Sequence, residues 1–201
     1  MAVNKPNNYE QTQAAGEYVP IELGGHDLII KQVEETVSKT GRQMLKIFFD
    51  TADNDKQPHY FADQFRNDIR PDKKWPANGV AYVLTEDEDG NCHRSFKTFT
   101  TSAEKSNAGF SVQWGDGFCQ CFKNKHIGGV FGIEKDWYNE KEVNHRKLRW
   151  FRSVDKAMEA DIPAEIETEA YKQKNAISGL NGKGTDFMNI PEGLDEALPF
   201  N

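Results

Sequence analysis

The stretch from residue 28 to residue 51 constrains the fold more than any other part of the chain. Two runs rich in β-branched and aromatic residues flank a short polar linker, Ser38 to Gly41, and this pattern predicts a β-hairpin. In the second run Leu45, Ile47 and Phe49 share one face of the strand, as core residues do. The opposite face carries Arg42, Met44, Lys46 and Phe48.

That opposite face mixes positive charge with an aromatic ring. Cations track phosphates and rings stack on bases, so such a face suits single-stranded nucleic acid. The alternative is a half-exposed strand whose outer side chains lean on a neighbouring loop, and the strand by itself favours this alternative. The rest of the chain shifts the balance.

The remaining patterns favour a mainly β fold. A helix is expected over residues 95–107, where Phe96, Phe99 and Ala103 form an apolar stripe. No regular alternation of strands and helices is present. A small antiparallel barrel with one helix before its fourth strand fits this order, which is the order of an OB-fold, whose open face binds oligonucleotides. Further strands are expected over 59–65, 80–85, 126–135 and 143–154.

Composition divides the chain into three parts. Residues 1–15 are small and polar and predict a mobile arm, and residues 16–155 hold the OB-fold-like domain. Residues 156–201 form an acidic tail that is expected to be disordered or partly helical, with a helix over 164–174.

The net charge of -7 argues at first sight against a nucleic-acid partner, but the charge is segregated. Residues 1–90 carry 10 Lys/Arg against 16 Asp/Glu, residues 91–152 carry 11 against 6, and residues 153–201 carry 4 against 10. A phosphate responds to the local patch, so the basic block keeps an anionic partner possible.

Other features narrow the setting. No apolar run approaches the ~20 residues that span a bilayer. The first residues lack a hydrophobic signal region, and the three cysteines are too few for a disulfide scaffold. The sequence therefore predicts no membrane partner and a cytoplasmic location.

The candidate interface is a set of cations for phosphates and rings for bases. Within the last strand, Arg146, Leu148, Trp150 and Arg152 alternate with His145, Lys147, Arg149 and Phe151, and the pattern does not decide which face looks inward. The predicted phosphate contacts are Lys31, Lys39, Arg42, Lys46, Lys123, Lys125, Arg146, Lys147, Arg149 and Arg152. The predicted stacking rings are Phe48, Trp137, Tyr138 and Trp150, while Trp114 fits the core equally well.

Residues 16–155 resemble phage-encoded single-stranded-DNA-binding proteins of replication and recombination modules. The likeness rests on a Gly-x-Tyr start at Gly16 and on the hairpin residues Ser38, Lys39, Thr40, Gly41, Met44, Leu45 and Phe48. A Lys-x-Ile-Gly strand at Lys125 and a basic-aromatic last strand with Arg149, Trp150 and Phe151 complete it. The resemblance implies single-stranded DNA as the partner, and it is compatible with a monomer or a homo-oligomer.

The C-terminus resembles the tail of single-stranded-DNA-binding proteins, a linker followed by an acidic tip that closes in Pro-Phe. In that family the terminal Phe and its carboxylate dock on replication and repair proteins. Here Asn201 follows the Phe, which displaces the carboxylate by one residue. The residues that correspond to the partner-binding tip are Asp195, Glu196, Leu198, Pro199 and Phe200.

Three other functions stay open on the residues alone. Cys92, Cys119, Cys121 and His126, with His93 as a spare, are ligand types that zinc accepts, although Cys-x-Cys is weaker than paired Cys-x-x-Cys, and buried reduced thiols are the alternative. The chain has no Gly-x-Ser-x-Gly, phosphate loop or His-Glu-x-x-His, so neither an enzyme nor a cofactor is predicted. A protein-interaction adaptor without a DNA role is the alternative function.

Overall fold

The computed structural model describes residues 3–7, 9–10 and 19–182, except for the side chains of 177–182. Most of this region is an antiparallel sheet with a few short helices, which confirms the prediction of a mainly β fold. The strands are β1 (Gly24–Val37), β2 (Gln43–Thr51), β3 (Val80–Leu84), β4 (His126–Tyr138), β5 (Lys141–Arg152) and β6 (Ile166–Glu167). The helices are α1 (Tyr60–Asn67), α2 (Arg94–Ser106), α3 (Phe118–Cys121), α4 (Val154–Met158) and α5 (Glu169–Gly182), with a 3₁₀ turn at Ala77–Gly79.

The long first strand is the centre of the sheet, whose order is β3-β2-β1-β4-β5. Residues 24–29 of β1 pair with β4, and residues 28–37 pair with β2, as the predicted hairpin requires. β6 runs parallel to β4 and pairs with its residues Glu134 and Lys135. These residues lie beyond Phe131, the last residue of β4 that pairs with β1. In the described part of the chain no ladder joins the outermost strands β3 and β5, so the predicted barrel closure is wrong. β3 has five residues, and a cleft lined by side chains of both strands separates it from β5.

Aromatic packing fills the inside of this curled sheet. The buried ring of Phe49 on β2 lies 5.5 Å from Phe61 of α1, 6.3 Å from Phe131 of β4 and 6.2 Å from Phe151 of β5. Phe99 of α2 contacts Phe151 with ring centroids 5.4 Å apart. Leu45, Ile47 and Phe49 are buried, as their alternation predicts.

The strand predicted over 59–65 is wrong, because residues 60–65 belong to helix α1 and His59 is the residue that precedes it. Asp50, at the end of β2, accepts hydrogen bonds from the backbone N–H groups of Phe61 at 2.9 Å and Ala62 at 3.2 Å. The first turn of the helix is thereby held by a carboxylate, which suits the positive end of a helix. Phe61 then packs on Phe49, and this contact outweighs the local strand propensity of the aromatic residues.

Elements beyond residue 153 pack on the sheet. Helix α4 lies directly on the backbone of β1 and β4, where Gly25 and Gly128 leave no room for a side chain. A Cβ at Gly25 would lie 1.9 Å from the carbonyl oxygen of Ala157, and one at Gly128 would lie 2.6 Å from that of Ser153. The helix predicted over 164–174 starts only at Glu169, after β6, and Tyr171 of α5 is buried.

Gly25→Ala is expected to destabilise the protein by about 1–3 kcal/mol or more, because its methyl group would overlap backbone that cannot move without displacing α4. Urea unfolding followed by circular dichroism measures the change. Gly117→Ala is the matched control, since its Cβ would meet only side-chain atoms of Gln113, at 3.3 Å and 4.0 Å, and no backbone. Equal stabilities of the two variants would contradict the close packing of α4 on β1.

A buried ion pair ties β1 to the loop that follows β2. His26 and Asp55 have fully buried side chains, and His26 Nδ1 lies 2.9 Å from Asp55 Oδ1. The other ring nitrogen lies 3.0 Å from the carbonyl oxygen of Glu22. The carboxylate and the carbonyl oxygen are both acceptors, and together they engage both nitrogens of the buried ring.

The Asp55 carboxylate is further stabilised by backbone N–H groups of Asp27 at 2.8 Å and Gln57 at 2.9 Å. Burial raises the pKa of Asp55, but the hydrogen bond from His26 and these backbone donors outweigh burial and hold the pKa below its ordinary value. The carboxylate is therefore the stable form in the folded protein.

Asp55→Asn is expected to cost about 3–5 kcal/mol at neutral pH, because it breaks the buried pair with His26 and puts an amide where two backbone N–H groups donate to a carboxylate. Because the pKa of Asp55 is lower in the folded than in the unfolded chain, its contribution is fully present above about pH 4 and is lost as the pH falls through the folded-state pKa. Unfolding free energies between pH 7 and pH 3 should therefore fall less steeply for the variant than for the wild type. Asp53→Asn, at an exposed carboxylate, is the control and should follow the wild type.

Candidate nucleic-acid interface

The open seam of the sheet is a cleft with a volume of about 750 Å³. One wall is β3 with the 3₁₀ turn before it, the other wall is β5, and the start of α2 forms one end. We call this site the basic cleft, because none of its described lining residues is an Asp or Glu. Its cations are Arg94, Lys147, Arg149 and Arg152, and its aromatic residues include Tyr82, His93 and Trp150.

A β-bulge in β5 decides what enters the basic cleft. Val130 pairs with Trp150 and Phe131 pairs with Leu148, so Arg149 is the extra residue. The bulge lets Leu148 and Phe151 both pack against the core. Trp150 and Arg152 point outward together, with the Arg152 guanidinium 5.9 Å from the Trp150 ring. The alternation predicted for this strand holds for Trp150 and Arg152 and fails at Leu148.

The rings of the basic cleft are exposed. Tyr82 on β3 is 59% exposed and Trp150 on β5 is 38% exposed. Tyr82 pairs across the ladder with Lys46 of β2, whose ammonium lies 4.5 Å from the centre of the Phe48 ring. The outer face of β2 predicted from the sequence therefore continues through Tyr82 into the basic cleft.

The cations differ in how far they are already neutralised. Lys147 is paired with Glu134, and Lys46 lies 3.9 Å from Glu34. Arg149 donates a long hydrogen bond of 3.4 Å to the carbonyl oxygen of Ile133. Within the described residues Arg94, Arg149 and Arg152 make no ion pair, and of these three only Arg149 uses its guanidinium in a hydrogen bond. Arg94 and Arg152 are therefore the cations with most hydrogen-bond donors to offer a ligand.

Of the predicted phosphate contacts, Lys147, Arg149 and Arg152 line the basic cleft, and Lys46 adjoins it. Trp150 lines the cleft among the predicted rings, and Phe48 adjoins it through Lys46. Sequence reasoning missed Tyr82 and Arg94. Alternation along β3 places Tyr82 on the outer face, because its neighbour Val83 is buried. That Tyr82 pairs with Lys46 of β2 depends on the register between the two strands, which the sequence does not predict.

The other predicted residues lie outside the cleft lining. Arg42 donates to the carbonyl oxygen of Glu86 at 3.2 Å, and Arg146 donates to that of Ile21. Lys31 lies 3.9 Å from buried Asp50, and Lys125 covers the ring of Phe110. Lys39 and Lys123 are exposed in turns, Tyr138 is exposed at the tip of the β4–β5 hairpin, and Trp137 is covered by Lys174 at 4.6 Å. The predicted tail residues 195–200 lie outside the described residues.

A second pocket has the opposite charge. It is lined by Glu35, Glu86 and Asp116 together with Trp114, and none of its described lining residues is a Lys or Arg. We call it the acidic pocket. Trp114 is 70% exposed there and stacks on Phe118 at 5.5 Å, so it is a surface residue and not part of the core.

The zinc hypothesis finds no site in the part of the chain that the structure describes. No group of three or more His, Cys, Asp or Glu side chains there is arranged to hold a metal ion, and all three cysteines are free. Burial raises the pKa of the Cys119 thiol, and the negative charge of Glu35 raises it further. This favours the protonated thiol, whereas zinc needs the thiolate.

No protein-family model matches the chain, and no curated protein sequence matches it. No helix in residues 3–7, 9–10 or 19–182 is long and apolar enough to cross a bilayer. The case for a function therefore rests on the chemistry of the basic cleft.

The opposite charges of the two pockets predict opposite quenching of their tryptophans. At low salt, iodide should quench Trp150 more than caesium does, and caesium should quench Trp114 more than iodide does, because each ion is concentrated by the local field. Trp150→Phe should lower the iodide-to-caesium quenching ratio of the whole protein, and Trp114→Phe should raise it. The difference should shrink at about 1 M of an inert salt, where the Debye length is about 3 Å. An unchanged ratio in Trp150→Phe would contradict the charge assigned to the cleft.

Proposed function

We propose that this protein is a non-enzymatic single-stranded-DNA-binding protein of phage DNA replication or recombination, and that the basic cleft holds the strand. The observation that carries the proposal is the lining of that cleft. Four cations and two exposed rings line it without a described acidic residue, in a chain whose net charge is -7. Such a combination of phosphate-binding cations and base-stacking rings is what single-strand binders use.

The connectivity supports the same function. The order of the strands in the sheet is β3-β2-β1-β4-β5, and along the chain α2 lies between β3 and β4. Both orders are those of an OB-fold. OB-folds are five-stranded, partly open barrels that bind oligonucleotides on an outer face and adjoining loops. We infer an OB-fold-like sheet that is open between β3 and β5, with β6 as an addition.

The cleft favours single strands for a physical reason. Tyr82 and Trp150 present flat rings from opposite walls, and only an unstacked base offers its face to such a ring. Arg152 lies beside the Trp150 ring and Arg94 lines the same cleft, and neither has an acidic partner among the described residues, so both can meet phosphates of the bound strand. A duplex would satisfy the cations but would keep its bases stacked inside.

The acidic tail has a place in this proposal. Residues 195–200, which include Phe200, would recruit replication or recombination proteins, as the resemblance of this tip implies. A polyanion tethered to the chain would also compete with DNA for the cations of the cleft. The host cytoplasm would be the site of action.

Titration with a fluorescent dT oligonucleotide at low and moderate salt tests the proposal. We expect tight, salt-sensitive binding and quenching of tryptophan fluorescence. Trp150→Ala and Tyr82→Ala should each weaken binding by about 1–3 kcal/mol, the cost of removing one stacking ring. Trp114→Ala is the matched control, because it removes an exposed tryptophan from the acidic pocket and should leave affinity unchanged.

Circular dichroism of each variant separates loss of binding from loss of fold. Wild type that fails to bind dT at low salt, with or without residues 186–201, would overturn the DNA function and leave the adaptor alternative ahead. Binding that survives in the Tyr82→Ala/Trp150→Ala double variant would place the DNA elsewhere on the molecule.

A further inference from the structure

A second basic surface adjoins the basic cleft. It is a shallow groove between the exposed face of α2 and the segment from Arg152 to Lys156, and we call it the basic groove. The groove shares Arg94, Thr98 and Arg152 with the cleft, so the two surfaces are continuous. Each of its described lining residues is a cation or carries a hydroxyl group, and the cations are Arg94, Lys97, Lys105, Arg152 and Lys156.

Helical spacing explains why α2 offers such a face. Arg94, Lys97, Thr101 and Lys105 fall at i, i+3, i+7 and i+11, which places them on one side of the helix. The opposite side, with Phe99 and Ala103, is buried in the core. From residue 94 to residue 105 the helix rises about 16 Å, so the row of cations spans several nucleotides.

The acidic groups near the groove leave most of its charge free. Lys156 is paired with Glu159 at 2.7 Å, and Asp155 lies beside it in the sequence. Glu104 of α2 is turned away and accepts a hydrogen bond from the backbone of Val112 at 3.0 Å. Among the described residues Lys97 and Lys105 have no ion-pair partner, although both are exposed.

We propose that the basic groove is a second phosphate-binding segment, which carries the backbone of the strand out of the basic cleft and along α2. This inference rests on the proposed function. In the cleft, rings stack on bases. The groove has no aromatic side chain in its described lining, so it would hold phosphates alone and would be indifferent to base identity. Because Arg94 and Arg152 line both the cleft and the groove, one DNA strand that occupies both surfaces is favoured over a separate ligand in the groove.

The test compares short and long oligonucleotides on the full-length chain. The double variant Lys97→Ala/Lys105→Ala removes both unpaired lysines and keeps good helix formers in α2. Lys73→Ala/Lys172→Ala is the charge-matched control, because both of its lysines are exposed and neither lines the cleft or the groove. The probes are dT oligomers of about 4 and about 16 nucleotides, the limits of site size for one OB-fold.

With the long oligomer, the slope of log K against log salt should be shallower by about 1.4 for Lys97→Ala/Lys105→Ala, since each single-strand phosphate contact contributes about 0.7. The affinity ratio of wild type to variant should then fall about sevenfold over a fourfold rise in salt. With the short oligomer, affinity and tryptophan quenching should equal those of the wild type. The control variant should match the wild type in slope with both oligomers.

The outcomes separate this inference from the proposed function. No binding of either oligomer by wild type defeats both. If wild type binds and is quenched but the salt slope is unchanged in Lys97→Ala/Lys105→Ala, the phosphate-binding role of the groove is wrong and the proposed function stands. A polyglutamate peptide that binds wild type but not this variant, while the DNA slope stays unchanged, would assign the groove to an acidic peptide and overturn the proposal.

Discussion

The packing of Phe49 is the interaction on which the rest of the structure depends. Backbone hydrogen bonds join neighbouring strands of the sheet, but no described ladder joins β3 to β5. Side chains therefore have to hold the two ends of the sheet near each other. Phe49 does this by contacting Phe131 and Phe151 on the β4–β5 side and Phe61 of α1. Because the ends are held by a core and not by a ladder, the seam stays open on the outside, and the basic cleft is that opening.

The bulge at Arg149 lets one strand serve both the core and the surface. A regular strand would send Leu148 and Phe151 to opposite faces, whereas the extra residue lets both pack on the core. Trp150 and Arg152, which follow the bulge, are then fixed on the outside by the buried residue between them. A stacking ring anchored in this way loses little conformational freedom when a base binds, which favours affinity.

Secondary structure could be predicted from the sequence where it depends on local patterns, but not where tertiary contacts determine it. The β1–β2 hairpin, α2 and the presence of the two long strands β4 and β5 were predicted from local sequence patterns. The segment 59–65 has strand-like composition, yet Asp50 and Phe49 hold it as a helix through contacts that no local pattern contains. Residues of the basic cleft come from β3, α2 and β5, so the set could not be assembled before the register was known. Trp150 was found because it stands among cations in one run, whereas Tyr82 has its cationic neighbour on another strand.

An acidic chain can present a basic site only if its charges are kept apart, and the first turn of α2 marks the separation. Arg94 and Ser95 line the basic cleft, whereas Phe96, the next residue, lines the acidic pocket. The side chains of Phe96 and Phe118 pack together on the side of the acidic pocket. Apolar side chains have a low dielectric constant, so they screen the electric fields of the acidic pocket and the basic cleft only weakly. A polyanion approaching the molecule is therefore repelled from the face with Trp114 and attracted to the face with Trp150. The net charge describes neither face, because it sums two fields that a strand of DNA would meet one at a time.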